Sequence, residues 1–368
     1  MTSSFIPNAN RIATALHPVQ QRMRVTAVRQ TACNMKTYTL QSAEGRELAY
    51  FEAGSYLPVY LTVDGNRIER PYSLFSSPRQ AEAGIYEITV KELGDGYISR
   101  HISANWEVGT EVLVGSPYPG ECYNPTRDAR KVVVLAGGSG ITGFYSFAQA
   151  VRDGDIELDS LTIFYGVNTA DELLDAKLWE GVCDGSDGRI RLIPVVADGS
   201  CSGCEAGFIT WDLIQKYCDI TDASYFISGP DAMIRAATAF LAANGIPRRR
   251  IRVSMSGDSG FRMNHTEPET CTLTVHIGGE QYTVPASKDE TILAALDRAG
   301  LNAAARCRSG KCGFCRSMVV HGEFQVAADE TGVRKMDQQL GFIHPCCCLP
   351  LTDMEIIVQR DKAKETRA

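Results

Sequence analysis

The stretch CRSGKCGFC, Cys307–Cys315, sets three cysteines at the spacing C-x4-C-x2-C. With a fourth cysteine further on, that spacing is the plant-type ligand set for a [2Fe–2S] cluster. A loop around such a cluster has to turn backbone N–H groups toward sulfur, and Gly310 and Gly313 stand where those turns are needed. Zinc knuckles usually pair two C-x2-C units, and only one is present locally. Three more cysteines, Cys346, Cys347 and Cys348, follow side by side in HPCCCLP. If that segment is extended, Cys347 faces away from Cys346. Cys348 then shares the face of Cys346 but lies about 6–7 Å along the strand, too far to bond the same iron.

Around this loop, CTLTVHIGGEQYTVPA reads as a hairpin and DETILAALDRAG as a helix, giving a small α+β (β-grasp) unit over residues 270–368. The polar run SGDSGFRMNHTEPET suggests a linker, 256–269. Over 128–255, apolar strands such as KVVVLAG, LTIFYGV and SYFISG alternate with helical patterns such as DAMIRAATAFLAANG. That alternation predicts an α/β domain with a parallel sheet. Residues 22–127 carry short alternating runs such as YLPVYLTV, separated by Gly, Pro and Asp, as in an antiparallel β-barrel. Residues 1–21 form an N-terminal tail without the apolar core of a signal peptide. The fold class is therefore multidomain.

Composition narrows the function. A net charge of −7 argues against a nucleic-acid partner. No run approaches the roughly 18 apolar residues that would span a membrane. Thirteen cysteines without a secretory signal read as thiols and metal ligands, which places the chain in the cytoplasm. CSGC (Cys201, Cys204), with no second pair nearby, reads as structural. Residues 270–368 hold 12 basic and 12 acidic residues, so the net negative charge lies elsewhere. Arg306, Arg308, Lys311 and Arg316 then form a basic rim around the cysteine loop that can steer an acidic partner or module.

VVVLAGGSGITG (132–143) places Gly138, Gly140 and Gly143 at G-x-G-x-x-G between a strand and a helix, where backbone N–H groups can face a pyrophosphate. The acidic residue that an ordinary dinucleotide fold carries after the next strand is replaced by Asn168. GVNTADELL offers no basic residue for a 2′-phosphate and carries Asp171 and Glu172 instead, which favours NADH over NADPH.

RPYSL (Arg70–Leu74) followed by GYIS (Gly96–Ser99) resembles the R-x-Y-S and G-x-x-S motifs of the ferredoxin–NADP reductase superfamily, whose barrel binds a flavin. The chemistry suits those residues: Tyr72 can stack on the isoalloxazine and Ser73 can hydrogen-bond flavin N5. Arg70 can grip a phosphate, and Ser99 with the turn at Gly96 can hold the pyrophosphate. The superfamily's G-G-x-G-I-T-P is matched by Gly137, Gly138, Gly140, Ile141 and Thr142, with Gly143 in place of the proline. Its C-G-P is matched by Ser228, Gly229 and Pro230, which puts a serine beside the nicotinamide, and MSGDSGF loosely echoes its Glu-x-Phe ending. Residues 270 to 360 resemble plant-type ferredoxin domains, with Arg306 where a small residue usually precedes the first ligand. The ferredoxin tail C-x-x-x-P-x-x-D fits Cys346, Pro350 and Asp353, which makes Cys346 the fourth ligand with Cys307, Cys312 and Cys315.

The order barrel, nicotinamide domain, ferredoxin is similar to the phthalate dioxygenase reductase-like branch of that superfamily. The resemblance implies an NAD(P)H-dependent oxidoreductase passing electrons from NADH to flavin, to [2Fe–2S], and on to a separate metalloenzyme such as an oxygenase. Tyr72, Ser73 and Ser228 would stand at hydride transfer, with FAD rather than FMN as the flavin. The protein would be a monomer or form a transient complex with its terminal acceptor. Two other classes fit the same motifs: a subunit of a permanent, for example anaerobic, redox complex, and a redox-sensing regulator.

Overall fold

The computed structural model describes residue 18 and residues 20–63, 66–92, 97–220, 222–255, 269–326 and 333–361. Gly96 and all of the linker except Glu269 lie outside these residues, as does most of the tail, whose Gln20 and Gln21 already belong to the first strand. The chain forms two compact units, Met1–Pro58 with Tyr72–Met255 and Val59–Pro71 with Ser256–Ala368.

Six antiparallel strands make the first sheet: β1 (Gln20–Ala32), β2 (Met35–Ser42), β3 (Tyr56–Val63), β4 (Asn66–Ser73), β5 (Tyr86–Lys91) and β6 (Glu111–Gly115), in the order β4-β3-β6-β1-β2-β5. Alternation along β1 buries Met23 and Val25 while Arg22 and Arg24 point outward. Both arginines meet Glu111 on the paired strand, at 2.7 and 2.9 Å. Beyond the end of β4, Leu74 bridges Ile88 of β5, so the two edge strands meet and the sheet closes as a barrel requires. Two short helices, α1 (Pro78–Glu82) and α2 (Tyr97–Asn105), flank β5.

The second sheet is parallel: β7 (Lys131–Gly137), β8 (Ser160–Val167), β9 (Ile190–Val196), β10 (Glu205–Ala206), β11 (Ser224–Gly229) and β12 (Ile251–Met255), in the order β10-β9-β8-β7-β11-β12. Its central strands are continuous apolar runs because helices cover both faces. Val132 and Val134 pack with Ile163 and Tyr165 in one core, and Val133 and Leu135 pack with Phe164 and Tyr225 in the other. The helices are α3 (Thr142–Arg152), α4 (Ala176–Asp184), α5 (Trp211–Tyr217) and α6 (Asp231–Ala243).

The C-terminal sheet has the order β14-β13-β19-β15-β17, built from β13 (Thr270–Ile277), β14 (Glu280–Ser287), β15 (Ser317–His321), β17 (Phe342–Ile343) and β19 (Met354–Val358). A second pairing joins β16 (Phe324–Val326) to β18 (Cys348–Pro350). The hairpin β13–β14, the parallel pair β13–β19 and the helix α7 (Ile292–Arg298) are the expected β-grasp arrangement. A further short helix, α8 (Lys335–Gln339), precedes β17. Among the described residues no helix is long and apolar enough to cross a membrane.

Cys201 and Cys204, read from the sequence as a structural pair, are joined in a disulfide. Composition speaks of compartment and not of two thiols three residues apart on one loop, so the bond itself was not legible.

At the start of the parallel domain the buried carboxylate of Asp128 takes Arg252 at 2.6 Å, Arg127 at 2.7 Å and the Asn124 N–H at 3.0 Å. Asp128→Ala would strand the Arg252 guanidinium in the interior, a loss of about 3–5 kcal/mol. The expected result is a fall in Tm of about 6 °C or more in a thermal melt.

Candidate functional site

Strand order reverses between β7 and β11, and in an open parallel sheet that reversal leaves a crevice at the carboxyl ends of the two strands. The GGSG run ends β7 and the SGP run ends β11, so the two sequence motifs meet there. They meet backbone to backbone. A Cβ on Gly140 would fall 2.3 Å from the Ser228 carbonyl oxygen, and one on Gly137 would fall 2.9 Å from Pro230 Cδ. Gly138 adopts φ +51, which costs glycine little. The chain passes through one 3-10 turn into α3, where the Thr142 hydroxyl donates to the Ser139 carbonyl at 2.9 Å. Loop amides and the positive end of α3 suit a pyrophosphate at this crevice.

The same helix braces the end of the flavin-type motif. Gln149 Nε2 donates to the Phe75 carbonyl at 2.8 Å and Ser146 Oγ to the Ser76 carbonyl at 2.6 Å. Tyr145 stacks on Phe75 with ring centroids 4.2 Å apart. A Cβ on Gly143 would lie 3.6 Å from Ser73 Oγ, so Ser73 faces the nicotinamide-type loop directly. Tyr72 precedes it, half-buried, and Ser99 is buried in the first turn of α2. Arg70 sets Nη1 2.9 Å from the Glu69 carbonyl and 3.2 Å from Asp297.

Asn168 is exposed just past β8, its N–H 3.4 Å from Glu172 Oε2 and its carbonyl accepting from the Asp198 N–H at 3.2 Å. Hydrogen bonds from Thr169 and Cys33 hold the exposed Asp171 carboxyl below its ordinary range. This corner is therefore anionic. Sequence reading missed Lys91, at the end of β5, whose Nζ lies 3.5 Å from where a Cβ on Gly138 would stand and 3.9 Å from Glu172. No local spacing marks it, because the glycine loop it reaches is almost fifty residues away in the chain.

In the cysteine loop, Gly310 and Gly313 take φ +77 and +70. The Gly310 N–H points at Cys346 Sγ (3.2 Å), the Cys312 N–H at Cys307 Sγ (3.4 Å) and the Phe314 N–H at Cys312 Sγ (3.5 Å). Among the described residues no three His, Cys, Asp or Glu side chains converge on a single metal position. The four thiols fall instead into two pairs, Cys315 with Cys346 (Sγ–Sγ 3.4 Å) and Cys307 with Cys312. The hydrogen bond from Cys312 holds the Cys307 thiol below its ordinary range. Two pairs under N–H donors fit a two-iron cluster with two thiolates on each iron. Cys315 and Cys346 are buried and Cys312 is exposed.

The assumption of an extended HPCCCLP segment fails: Pro345–Cys347 is a 3-10 turn, and only Cys348 enters a strand. Cys347 Sγ turns back to the His344 carbonyl at 3.3 Å, while Cys348 pairs across to Val326. The basic rim is also smaller than sequence suggests. Arg308 is buried against Asp297, and Arg316 pairs with Asp337 at 2.8 Å.

Comparison with known proteins follows the same order along the chain. Residues 22–122 match the oxidoreductase FAD-binding domain, 134–239 the oxidoreductase NAD-binding domain and 275–352 the 2Fe-2S iron-sulfur cluster binding domain. The chain is 23% identical over 355 residues to the glycine betaine monooxygenase reductase subunit of Chromohalobacter salexigens, covering 92% of this chain and 95% of that one. It is 27% identical over 294 residues to the ferredoxin reductase component of 3-ketosteroid-9-alpha-monooxygenase from Mycobacterium tuberculosis, covering 78% of each chain. Among solved structures, phthalate dioxygenase reductase superposes with a TM-score of 0.69 at 21% identity, covering 92% of this chain and 98% of that one.

The two loop glycines should differ in tolerance. Gly140→Ala drives a methyl group into the Ser228 carbonyl and should lower thermal stability and soluble yield, since backbone cannot move aside cheaply. Gly143→Ala meets only ordinary contacts at 3.6 Å and should melt within about 2 °C of the parent. Equal Tm values for the two variants would mean that the backbones at β7 and β11 do not touch.

Proposed function

We infer that this chain, a member of the ferredoxin–NADP reductase superfamily with the phthalate dioxygenase reductase arrangement of FAD-binding, NAD-binding and 2Fe-2S domains, is the NADH-dependent reductase of an oxygenase system. The observation that carries it is a pair of thiol pairs, Cys307 with Cys312 and Cys315 with Cys346, in the same chain as a nicotinamide-type crevice facing Ser73. Relatives named as reductase subunits of monooxygenases point to the acceptor class. A bound flavin would supply the means to take one hydride, two electrons, from NADH, and a cluster the means to pass them on one at a time.

The chain's own residues supply place and orientation. Gly137, Gly138, Gly140 and Thr142, at the start of α3, hold the NADH pyrophosphate, with Lys91 as the nearby cation. Gly229 and Pro230 floor the crevice, and Ser228 sets a hydroxyl beside the nicotinamide. Asn168 takes the adenosine ribose, next to Asp171 and Glu172, whose charges repel a 2′-phosphate. Tyr72 stacks on the flavin ring and Ser73 hydrogen-bonds its N5. Arg70, Gly96 and Ser99 hold its phosphates, and FAD is the flavin we favour. Cys307, Cys312, Cys315 and Cys346 hold the cluster. A cluster held there would be most open to a partner on the side of exposed Cys312, where Phe314 is 38% exposed and carries the Arg306 guanidinium 4.2 Å over its ring. We place the protein in the cytoplasm, where NADH and a reductant for its many thiols are at hand.

Cys346→Ser should abolish or shift the EPR signal of the reduced cluster and lower acid-labile sulfide, while Cys347→Ser and Cys348→Ser keep both near parental levels. A parental signal from Cys346→Ser would assign the fourth ligand elsewhere. Steady-state kcat/KM should favour NADH over NADPH by about tenfold or more, the effect of one unfavourable charge contact. An equal value for NADPH would refute the role given to Asp171 and Glu172.

A further inference from the structure

An imidazole is buried against the cluster loop. His344, 2% exposed, stands two residues ahead of Cys346, immediately before the 3-10 turn Pro345–Cys347. Its Nδ1 lies 2.7 Å from the carbonyl oxygen of Gly310. A carbonyl only accepts, so Nδ1 carries the hydrogen and donates. The other edge of the ring packs on the second glycine turn, where a Cβ on Gly313 would fall 3.5 Å from Nε2 and 3.8 Å from Cε1.

Both backbone groups of Gly310 are thus held by one short segment. Its N–H points at Cys346 Sγ (3.2 Å), and its carbonyl accepts from His344. Gly310 is itself buried, so its carbonyl depends on a partner within the protein. At φ +77 and without a side chain, the residue is free to rotate once either contact goes. His344 is fixed in turn by Cys347, whose N–H and Sγ both donate to the His344 carbonyl, at 3.0 and 3.3 Å. All of these residues lie within Ser256–Ala368, inside one compact unit. A donor aimed at a ligand sulfur favours the more negative, reduced state of a cluster and so raises its potential. The amide that approaches Cys346 is therefore only as well placed as the glycine that carries it.

We propose that His344 is a positioning residue for the cluster's reduction potential: its Nδ1–H, bound to the Gly310 carbonyl, keeps the Gly310 amide on Cys346 Sγ and so holds the potential up. The proposal rests on the assignment of Cys307, Cys312, Cys315 and Cys346 to the cluster. A histidine that only filled space would affect stability and leave the potential where it is.

The test measures the cluster's potential in the full-length holoprotein by EPR-monitored potentiometry. Two variants separate the two edges of the ring, because the amide nitrogen of asparagine stands about where Nδ1 does and that of glutamine about where Nε2 does. His344→Asn is expected to keep the reduction equilibrium within about twofold of the parent. His344→Gln should make reduction about tenfold less favourable, the scale of one lost hydrogen bond and about 59 mV for one electron. A potential in His344→Gln at or above the parental value overturns the proposal, as does an equal fall, or loss of the cluster, in His344→Asn. Should His344→Gln fail to hold its cluster, His344→Asn decides by the same measurement. A parental potential there supports the proposal, and a lowered one overturns it. Parent protein that shows no cluster EPR signal after reduction would instead refute the ligand assignment on which the proposal stands.

Discussion

Backbone packs directly on backbone where β7 and β11 end, and much of the first unit depends on that contact. With no side chain at 137 or 140, the GGSG turn can lie against Ser228 and Gly229, which fixes where α3 begins. Helix α3 in turn carries Tyr145, Ser146 and Gln149, and these hold the Phe75–Ser76 segment by one stacked ring pair and two hydrogen bonds. Each of those bonds joins buried groups, so losing one leaves an unsatisfied carbonyl at a cost of about 1–3 kcal/mol. Ser73 is thereby placed against Gly143 by packing that begins two strands away. A donor and an acceptor of hydride need this kind of fixed approach, because misplacement of about 1 Å costs about a hundredfold in rate.

The cluster loop meets a different constraint. Its thiols have to converge while its amides still find acceptors, and the chain satisfies both by aiming N–H groups of residues 310, 312 and 314 at sulfur. That geometry needs left-handed backbone at Arg308, Gly310 and Gly313. Glycine takes it freely at two of the three positions. At the third, a buried ion pair holds an arginine in place. The strain at Arg308 and the charge on Asp297 therefore belong to one solution.

What the sequence disclosed was what is local. C-x4-C-x2-C, GGSGITG and RPYSL each span a dozen residues or fewer, so spacing alone reports the chemistry they can do, and the strand–helix alternation reports a parallel sheet. Contacts between distant segments left no such trace. Lys91 reaches the glycine loop, and Asp297 reaches Arg70, without any periodicity that would announce it. Arg308 looked like a solvated rim charge because a basic residue in a polar loop usually is one. Alternation at HPCCCLP presupposes extended backbone, and a proline-led 3-10 turn occupies Pro345–Cys347 instead. Cys346 is singled out by its approach to Cys315 and by the Gly310 amide, contacts with residues more than thirty positions earlier.

Two departures from the superfamily's nicotinamide motifs fall in this one crevice. Gly143 replaces a proline at the point facing Ser73, and Ser228 replaces a cysteine on the strand whose carbonyl meets Gly140. Each swap exchanges a bulkier or softer group for a smaller or more polar one. Glycine at 143 withdraws a ring from beside Ser73, and α3 tolerates the loss because buried Phe144, Tyr145 and Phe147 anchor its first turns. Serine at 228 offers a hydroxyl that both donates and accepts, where a thiol does each weakly. The backbone contact of Gly140 with Ser228 that fixes the crevice does not depend on either of these side chains.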